Sequence, residues 1–153
     1  MLKKLSHRAA LAGFLVFGLS TSAFAVSPPS VGLGQAWPNT VDVSPSPNWH
    51  AYVFMLGGVK YVQVNDINGN VLGAVGTANG QFITLPIGRF SQLVSTPQQP
   101  AATPATAPAA GIATTVYKDS TTQVTATPLS NGTVLLNATT TTCDPIDCSG
   151  RLQ

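Results

Sequence analysis

Turn signals divide residues 50–89 into four short runs of β-forming side chains, and this spacing limits the fold more than any other feature of the chain. The runs cover residues 51–56, 59–64, 71–75 and 81–85. Between them lie the pair Gly57 and Gly58, the polar stretch 66–70 and the stretch 78–80. A two-residue Gly-Gly break is typical of a hairpin, and connections this short join antiparallel neighbours. The spacing therefore predicts a four-stranded antiparallel β-meander.

The second run alternates as a strand with two different faces does. One face would carry Lys60, Val62 and Val64, and the other Tyr61, Gln63 and Asn65. No stretch of residues 26–153 shows a helical repeat, and the chain contains no Glu, which is one of the common formers of surface helices. We therefore expect a mainly β protein.

The N-terminal segment has the three parts of a Sec-type signal peptide. Its basic side chains are Lys3, Lys4 and Arg8. An apolar run covers residues 9–19, and residues 23–25 have the small-x-small pattern that signal peptidase cleaves. Cleavage after Ala25 would leave Val26 at the N-terminus, so we expect a secreted or periplasmic protein that is not held in a membrane. An uncleaved anchor is disfavoured because residues 9–25 are short for a span and include polar side chains.

Charge excludes one class of partner. Residues 26–153 carry four basic side chains against five aspartates, a net charge of −1. So few cations cannot neutralise many phosphates, and we therefore expect no nucleic-acid partner.

The two cysteines, Cys143 and Cys148, lie near the C-terminus. In an oxidising compartment they predict a local disulfide. A metal site that also used Asp144 and Asp147 is the sharper alternative, but structural zinc sites take Cys and His ligands, and no His lies nearby. We expect no metal and no cofactor.

Composition divides the chain beyond the signal peptide (residues 1–25) into three parts. Residues 26–94 form a β-rich domain, with the meander at about 50–89. Residues 95–113 are rich in Pro, Ala and Thr and predict a disordered linker. Residues 114–153 hold a C-terminal β-hairpin around Asn131-Gly132, followed by the Cys loop. Two strands alone are marginal in water, so we expect this hairpin to dock on the meander or on another chain.

Catalysis would depend on His50, the only histidine of residues 26–153. A Ser-His-Asp arrangement would need it as the base, with Asp42 or Asp66 as the acid, but no Gly-x-Ser-x-Gly motif is present. The stretch 66–77 lacks the Gly and Glu of a calcium loop, and turn chemistry accounts for its polar residues. We therefore assign no catalytic residue.

These features favour an exported, non-catalytic β-protein that serves as a binding or structural module of the bacterial cell envelope or its surroundings. A partner protein or a glycan is the expected ligand, since aromatic side chains outside the core would form a stacking surface. One alternative is a self-assembling, surface-fibre-like subunit, a homo-oligomer joined through strand edges. The other is a small hydrolase that uses His50.

Overall fold

The computed structural model describes residues 30–141. Within this range the chain forms eight strands and one short 3₁₀ helix. The strands are β1 (Trp49–Leu56), β2 (Val59–Asp66), β3 (Val71–Ala78), β4 (Gln81–Leu85), β5 (Val94–Ser95), β6 (Thr114–Lys118), β7 (Thr122–Pro128) and β8 (Val134–Thr140), and the 3₁₀ helix covers Ser91–Leu93. None of the described residues belongs to a helix long and apolar enough to cross a membrane.

The first sheet has the strand order β1-β2-β3-β4, and all its pairs are antiparallel. Gly57 and Gly58 have φ values of 59° and 80°, and Asn79 and Gly80 have values of 51° and 76°. Two consecutive positive φ values give the turn whose twist matches a hairpin. The predicted meander is therefore confirmed. β1, β2 and β3 are two or three residues longer than the runs that predicted them, and β4 matches its run.

The second sheet has the order β5-β8-β7-β6 and is mixed, because β5 runs parallel to β8. The predicted C-terminal hairpin is confirmed as β7 and β8. The prediction was incomplete, however, since β6 and β5 extend the hairpin on either side. The turn from β6 to β7 is built by Asp119, whose Oδ1 accepts hydrogen bonds from the amides of Thr121 and Thr122 at 2.8 Å each. β5 has only two residues, too few for an alternation pattern.

One hydrophobic core joins the two sheets as a β-sandwich. The meander contributes Ala51, Val62, Val64, Leu72, Val75 and Phe82, and the second sheet contributes Val94, Val116, Tyr117, Val124, Ala126, Val134, Leu136 and Ala138. Gly73 permits the close approach of the sheets, because a Cβ there would lie 2.7 Å from Val94 Cγ2 and 2.8 Å from Leu136 Cδ1. The C-terminal strands therefore pack on the meander.

The low-complexity segment 95–113 follows the edges of both sheets. The Oε1 atoms of Gln98 and Gln99 each accept a hydrogen bond at 3.2 Å, from the amides of Phe82 and Thr84 on the edge strand β4. Further on, the amide of Ala110 donates to the Pro128 carbonyl at 2.8 Å. Of the predicted linker, residues 95–113, Ser95 belongs to β5 and Ala109 forms an isolated bridge with Leu129, while the other residues form no helix or strand. At these contacts, polar groups of the segment complete the hydrogen bonding of strand edges.

Several expectations fall outside residues 30–141. They are the signal peptide with its cleavage position at Ala25 and Val26, and the disulfide between Cys143 and Cys148. They stay predictions.

Candidate functional site

The outer face of β2 carries two buried amide side chains. Gln63 and Asn65 are both fully buried, on the face opposite the core side chains Val62 and Val64. Gln63 Nε2 donates to Asn65 Oδ1 at 2.9 Å. A buried amide is costly unless its donors and acceptors are paired, so something must cover this face and bond to it.

The cover is the segment 34–36, which lies in a turn and bend before the meander. Gln63 Oε1 accepts from the Gly34 amide at 2.6 Å, and Gln63 Nε2 donates to the Gln35 carbonyl at 2.8 Å. Asn65 Nδ2 donates to the Ala36 carbonyl at 2.6 Å. Side chains of β2 thus hydrogen-bond the backbone of this segment, and these bonds fix the path of the chain up to Trp37.

Trp37 is packed against Gly69 and is also largely exposed to solvent. Its side chain is 59% exposed. The indole lies on the backbone of Gly69, where a Cβ would come within 2.6 Å of Trp37 Cζ2. Gly69 has a φ of 83°, which a glycine adopts readily. The next residue, Pro38, is buried, so the backbone is held in place both before and after Trp37.

The loop that supplies Gly69 is organised by Asp66. Asp66 Oδ1 accepts from the amides of Asn68 and Asn70 at 2.9 Å each, and Oδ2 accepts from Asn70 Nδ2 at 2.8 Å. Slight burial alone would raise the pKa of Asp66, but these hydrogen bonds, with the nearby Arg89 charge, hold it below its usual value. The turn role expected for Asp66 is what the geometry shows, and the Asn68 side chain is left exposed.

His50 and Asp42 form a pair beside the indole. His50 Nδ1 lies 2.7 Å from Asp42 Oδ2, and the His50 ring meets the Trp37 ring edge to face with centroids 5.3 Å apart. Asp42 Oδ1 also accepts from the amides of Ala51 and Ser44. Partial burial would raise the pKa of Asp42, but its bonds to His50 and the two amides outweigh that effect and lower the pKa.

We call the group formed by Trp37, Asp42, His50, Asn68 and Gly69 the Trp37 surface. The sequence predicted that His50 would need Asp42 or Asp66 as its acid, and the structure brings Asp42 to it. The Ser44 hydroxyl, however, donates to the Ser46 carbonyl, and within residues 30–141 no hydroxyl is hydrogen-bonded to His50. Likewise, no three His, Cys, Asp or Glu side chains in that range are grouped as metal ligands.

A second charged cluster ties the two sheets together. Lys60 Nζ on β2 lies 2.5 Å from Asp119 Oδ2, which also accepts from the Tyr117 hydroxyl at 2.6 Å. Partial burial raises the pKa of Tyr117, and the Asp119 carboxylate beside it raises that pKa further. Partial burial would raise the pKa of Asp119 too, but the bonds from Lys60, Tyr117 and the turn amides lower it strongly. Every charge in this cluster is paired, so its role is structural.

Open clefts also lie on the surface of residues 30–141, and two of them border the strands described above. The first, of about 240 Å³, is apolar and lies between the segment 30–33 and the end of β1. Met55 and Leu56 at its rim are 65% and 69% exposed. The second, of about 210 Å³, lies between Arg89 and the β7–β8 turn.

The sequence matches no protein-family model, and neither the curated proteins nor the solved structures contain a match.

From the sequence, His50 and Asp42 are candidate residues and Gln63 and Asn65 share one face of a strand. Nothing in that reasoning singles out Trp37, Asn68 or Gly69. Two amides at alternating positions of an otherwise apolar strand are the signal that was available. Such a pair requires hydrogen-bonding cover, and residues 26–48, which precede the first predicted strand, are the nearest backbone without an assigned strand.

Proposed function

We propose that the protein is an exported, non-catalytic binding module of the bacterial cell envelope or its surroundings, and that the Trp37 surface is its binding surface. The observation that carries this proposal is the combination of exposure and anchoring at Trp37. The indole is open to solvent, yet Gly69 supports it and the buried amides of Gln63 and Asn65 fix the preceding backbone. A side chain already held in place loses little conformational entropy when a ligand binds.

Export is supported by the charge, apolar run and small-residue pattern of residues 1–25. The proposed localisation depends on the N-terminal pattern and on the expected disulfide.

The absence of catalysis is proposed from the surroundings of His50. A histidine base in a hydrolase activates a nucleophile, and no hydroxyl within residues 30–141 is hydrogen-bonded to His50. His50 is oriented by Asp42 and packed beside Trp37 and Tyr52, an arrangement that also suits a purely positional role. If the protein hydrolysed ester, peptide or glycosidic substrates and His50→Ala abolished the activity, the hydrolase alternative would replace this proposal.

Co-sedimentation tests the binding function. Residues 26–153, oxidised, would be mixed with washed envelope fragments, and the bound fraction measured against fragment concentration. We expect saturable binding that Trp37→Ala weakens at least fivefold. Ile112→Ala is the matched control, since Ile112 is 89% exposed and far from the Trp37 surface in the chain, and should change binding less than twofold. Equal binding by the wild type and Trp37→Ala, or no binding at all, would refute the proposal.

Self-assembly is the second candidate, and the free end of β1 favours it. Among the described residues, Gln98 and Gln99 cover the amides of the β4 edge, and an isolated bridge from Asp42 to Tyr52 covers the first half of β1. Beyond Val53 that edge has no neighbouring strand in residues 30–141, and it carries the exposed Met55. An open apolar edge is a site for pairing with a second chain. Sedimentation at rising concentration should show oligomers that Met55→Lys removes, and a monomer at all concentrations would contradict this candidate.

A further inference from the structure

We propose that the ligand of the Trp37 surface is carbohydrate, namely the neutral sugar rings of a polysaccharide chain. This inference rests on the proposed function, because it names the ligand class of the same surface.

The indole provides the stacking half of such a site. An aromatic face carries partial negative charge, and it attracts the partially positive C–H groups on the apolar side of a sugar ring. Trp37 packs against Gly69 and keeps 59% of its surface exposed, so part of the indole is open to a ligand. A side chain at position 69 would push the indole out of this position, so the glycine and the tryptophan form one unit.

Polar groups beside the indole provide the hydrogen-bonding half. Because Asp42 occupies His50 Nδ1, the second ring nitrogen is left for a hydroxyl group of a ligand. Asp42 and His50 are both partly exposed, and the Asn68 amide is exposed on the neighbouring loop. Sugar hydroxyls donate and accept hydrogen bonds, and a carboxylate, an imidazole and an amide close to an aromatic plane satisfy both functions.

Charge selects neutral chains over anionic ones. Two carboxylates, Asp42 and Asp66, lie close to the indole, and both keep a lowered pKa, so both are charged at neutral pH. Among residues 30–141, the nearby positive charge that lowers the pKa of Asp66 is that of Arg89. Phosphorylated or uronate-rich polymers would meet net repulsion here, whereas uncharged sugars would not.

A bound polypeptide is the competing ligand, and the strand edges argue against it at this position. Peptides that join a sheet need an unpaired edge. Next to the Trp37 surface the β1 edge is already used, since the Val43 amide donates to the Ala51 carbonyl at 2.9 Å. A peptide would therefore be limited to side-chain contacts with the indole.

Affinity electrophoresis in native gels tests the inference on oxidised residues 26–153. The probes are a soluble β-glucan, a xylan, oligomers of N-acetylglucosamine as competitors, and alginate as the polyanion. We expect at least one neutral probe to retard or compete for the wild type, and alginate to have at least tenfold weaker effect. Alginate binding equal to or tighter than all neutral probes would overturn the proposal, as would no response to any neutral probe.

Three variants assign the effect to the Trp37 surface. Trp37→Ala should weaken retardation at least tenfold, and Trp37→Phe should keep part of it because a smaller aromatic face remains. Asn68→Ala removes only an exposed amide and should weaken retardation two- to fivefold without changing the melting temperature, which keeps the test valid if Trp37→Ala folds poorly. Ile112→Ala should behave as the wild type. Retardation that none of the Trp37 and Asn68 variants alters would place the sugar elsewhere and refute the inference.

Failure of the inference can be separated from failure of the proposed function. If envelope fragments bind through Trp37 but lose binding after protease treatment, the ligand is a protein and only the carbohydrate inference fails. If the fragments do not bind at all, the proposed function fails with it.

Discussion

Replacing Gln63 by Leu tests whether buried amides hold the Trp37 surface in place. Leu is close to Gln in volume and would still fill the space, so the change removes hydrogen bonds rather than packing. Three partner groups would lose their bonds: the Gly34 amide, the Gln35 carbonyl and Asn65 Oδ1. A buried polar group left unpaired costs about 1–3 kcal/mol, which sets an upper range of roughly 3–9 kcal/mol for three.

The expected loss is smaller because two of the three groups can reach water. Gly34 and Gln35 lie in an exposed segment that can move outward, whereas Asn65 is fully buried on β2. We therefore expect Gln63→Leu to lower the free energy of unfolding by about 2–4 kcal/mol. At this chain length that corresponds to a fall in melting temperature of roughly 8–16 °C.

Urea and thermal unfolding would be followed by fluorescence, with Trp49 as the probe because it packs against the core. Gln81→Leu is the matched control, since Gln81 is exposed on β4 and should change stability by less than about 0.5 kcal/mol. The indole should also become more accessible to acrylamide in Gln63→Leu, because its backbone anchor is gone. Stability of Gln63→Leu equal to that of the control, or higher, would refute the claim that the amide pair holds the segment.

Three further predictions concern other parts of the molecule. Asp119 has a lowered pKa in the folded state, so its contribution to stability is fully present above the unfolded value of 3.8 and is lost as pH falls. The stability difference between the wild type and Asp119→Asn, which weakens the contact with Lys60, should therefore shrink in unfolding curves taken from pH 6 to pH 2. A constant difference would contradict this prediction. Gly88→Ala should destabilise the protein by about 3 kcal/mol or more in urea unfolding, because φ at this position is 95° and a Cβ would lie 2.5 Å from the backbone carbon of Leu72; a change below 1 kcal/mol would be inconsistent with that contact. Intact-mass spectrometry of the exported protein should find Val26 first and two hydrogens fewer than the reduced chain, whereas a retained N-terminal segment would contradict cleavage and an unchanged mass on reduction would contradict the disulfide.

Much of the strand pattern could be predicted from the sequence because turn geometry and side-chain alternation are local properties. Gly57 and Gly58 adopt the positive φ values of a tight hairpin without steric cost, and Gly132 does the same in the β7–β8 turn. The alternation of β2 assigned Val62 to one face and Gln63 to the other before any partner was known. Errors occurred where a strand was too short to show a period, as at β5, or where one side chain built the turn, as at Asp119.

The Trp37 surface could not be derived in the same way, because its members come from separate parts of the chain. His50 and Asp42 are eight positions apart, and Gly34 and Gln63 are 29 apart. Sequence reasoning could name Asp42 and Asp66 as candidate acids for His50 but could not choose between them. The choice depends on which edge of β1 residues 42–43 lie along, and long-range packing decides that.

By itself, the sequence determined the class of structure, the meander, the hairpin around Asn131-Gly132 and the low charge that argues against nucleic acid. Only the tertiary structure decided that both sheets share one core, that Lys60 meets Asp119 59 positions away, and that residues 34–36 cover the buried amides of β2. The physical reason is that local preferences act between neighbours in the chain. The cover of a buried polar face, in contrast, is set by the requirement that every buried donor and acceptor find a partner, wherever in the chain that partner lies.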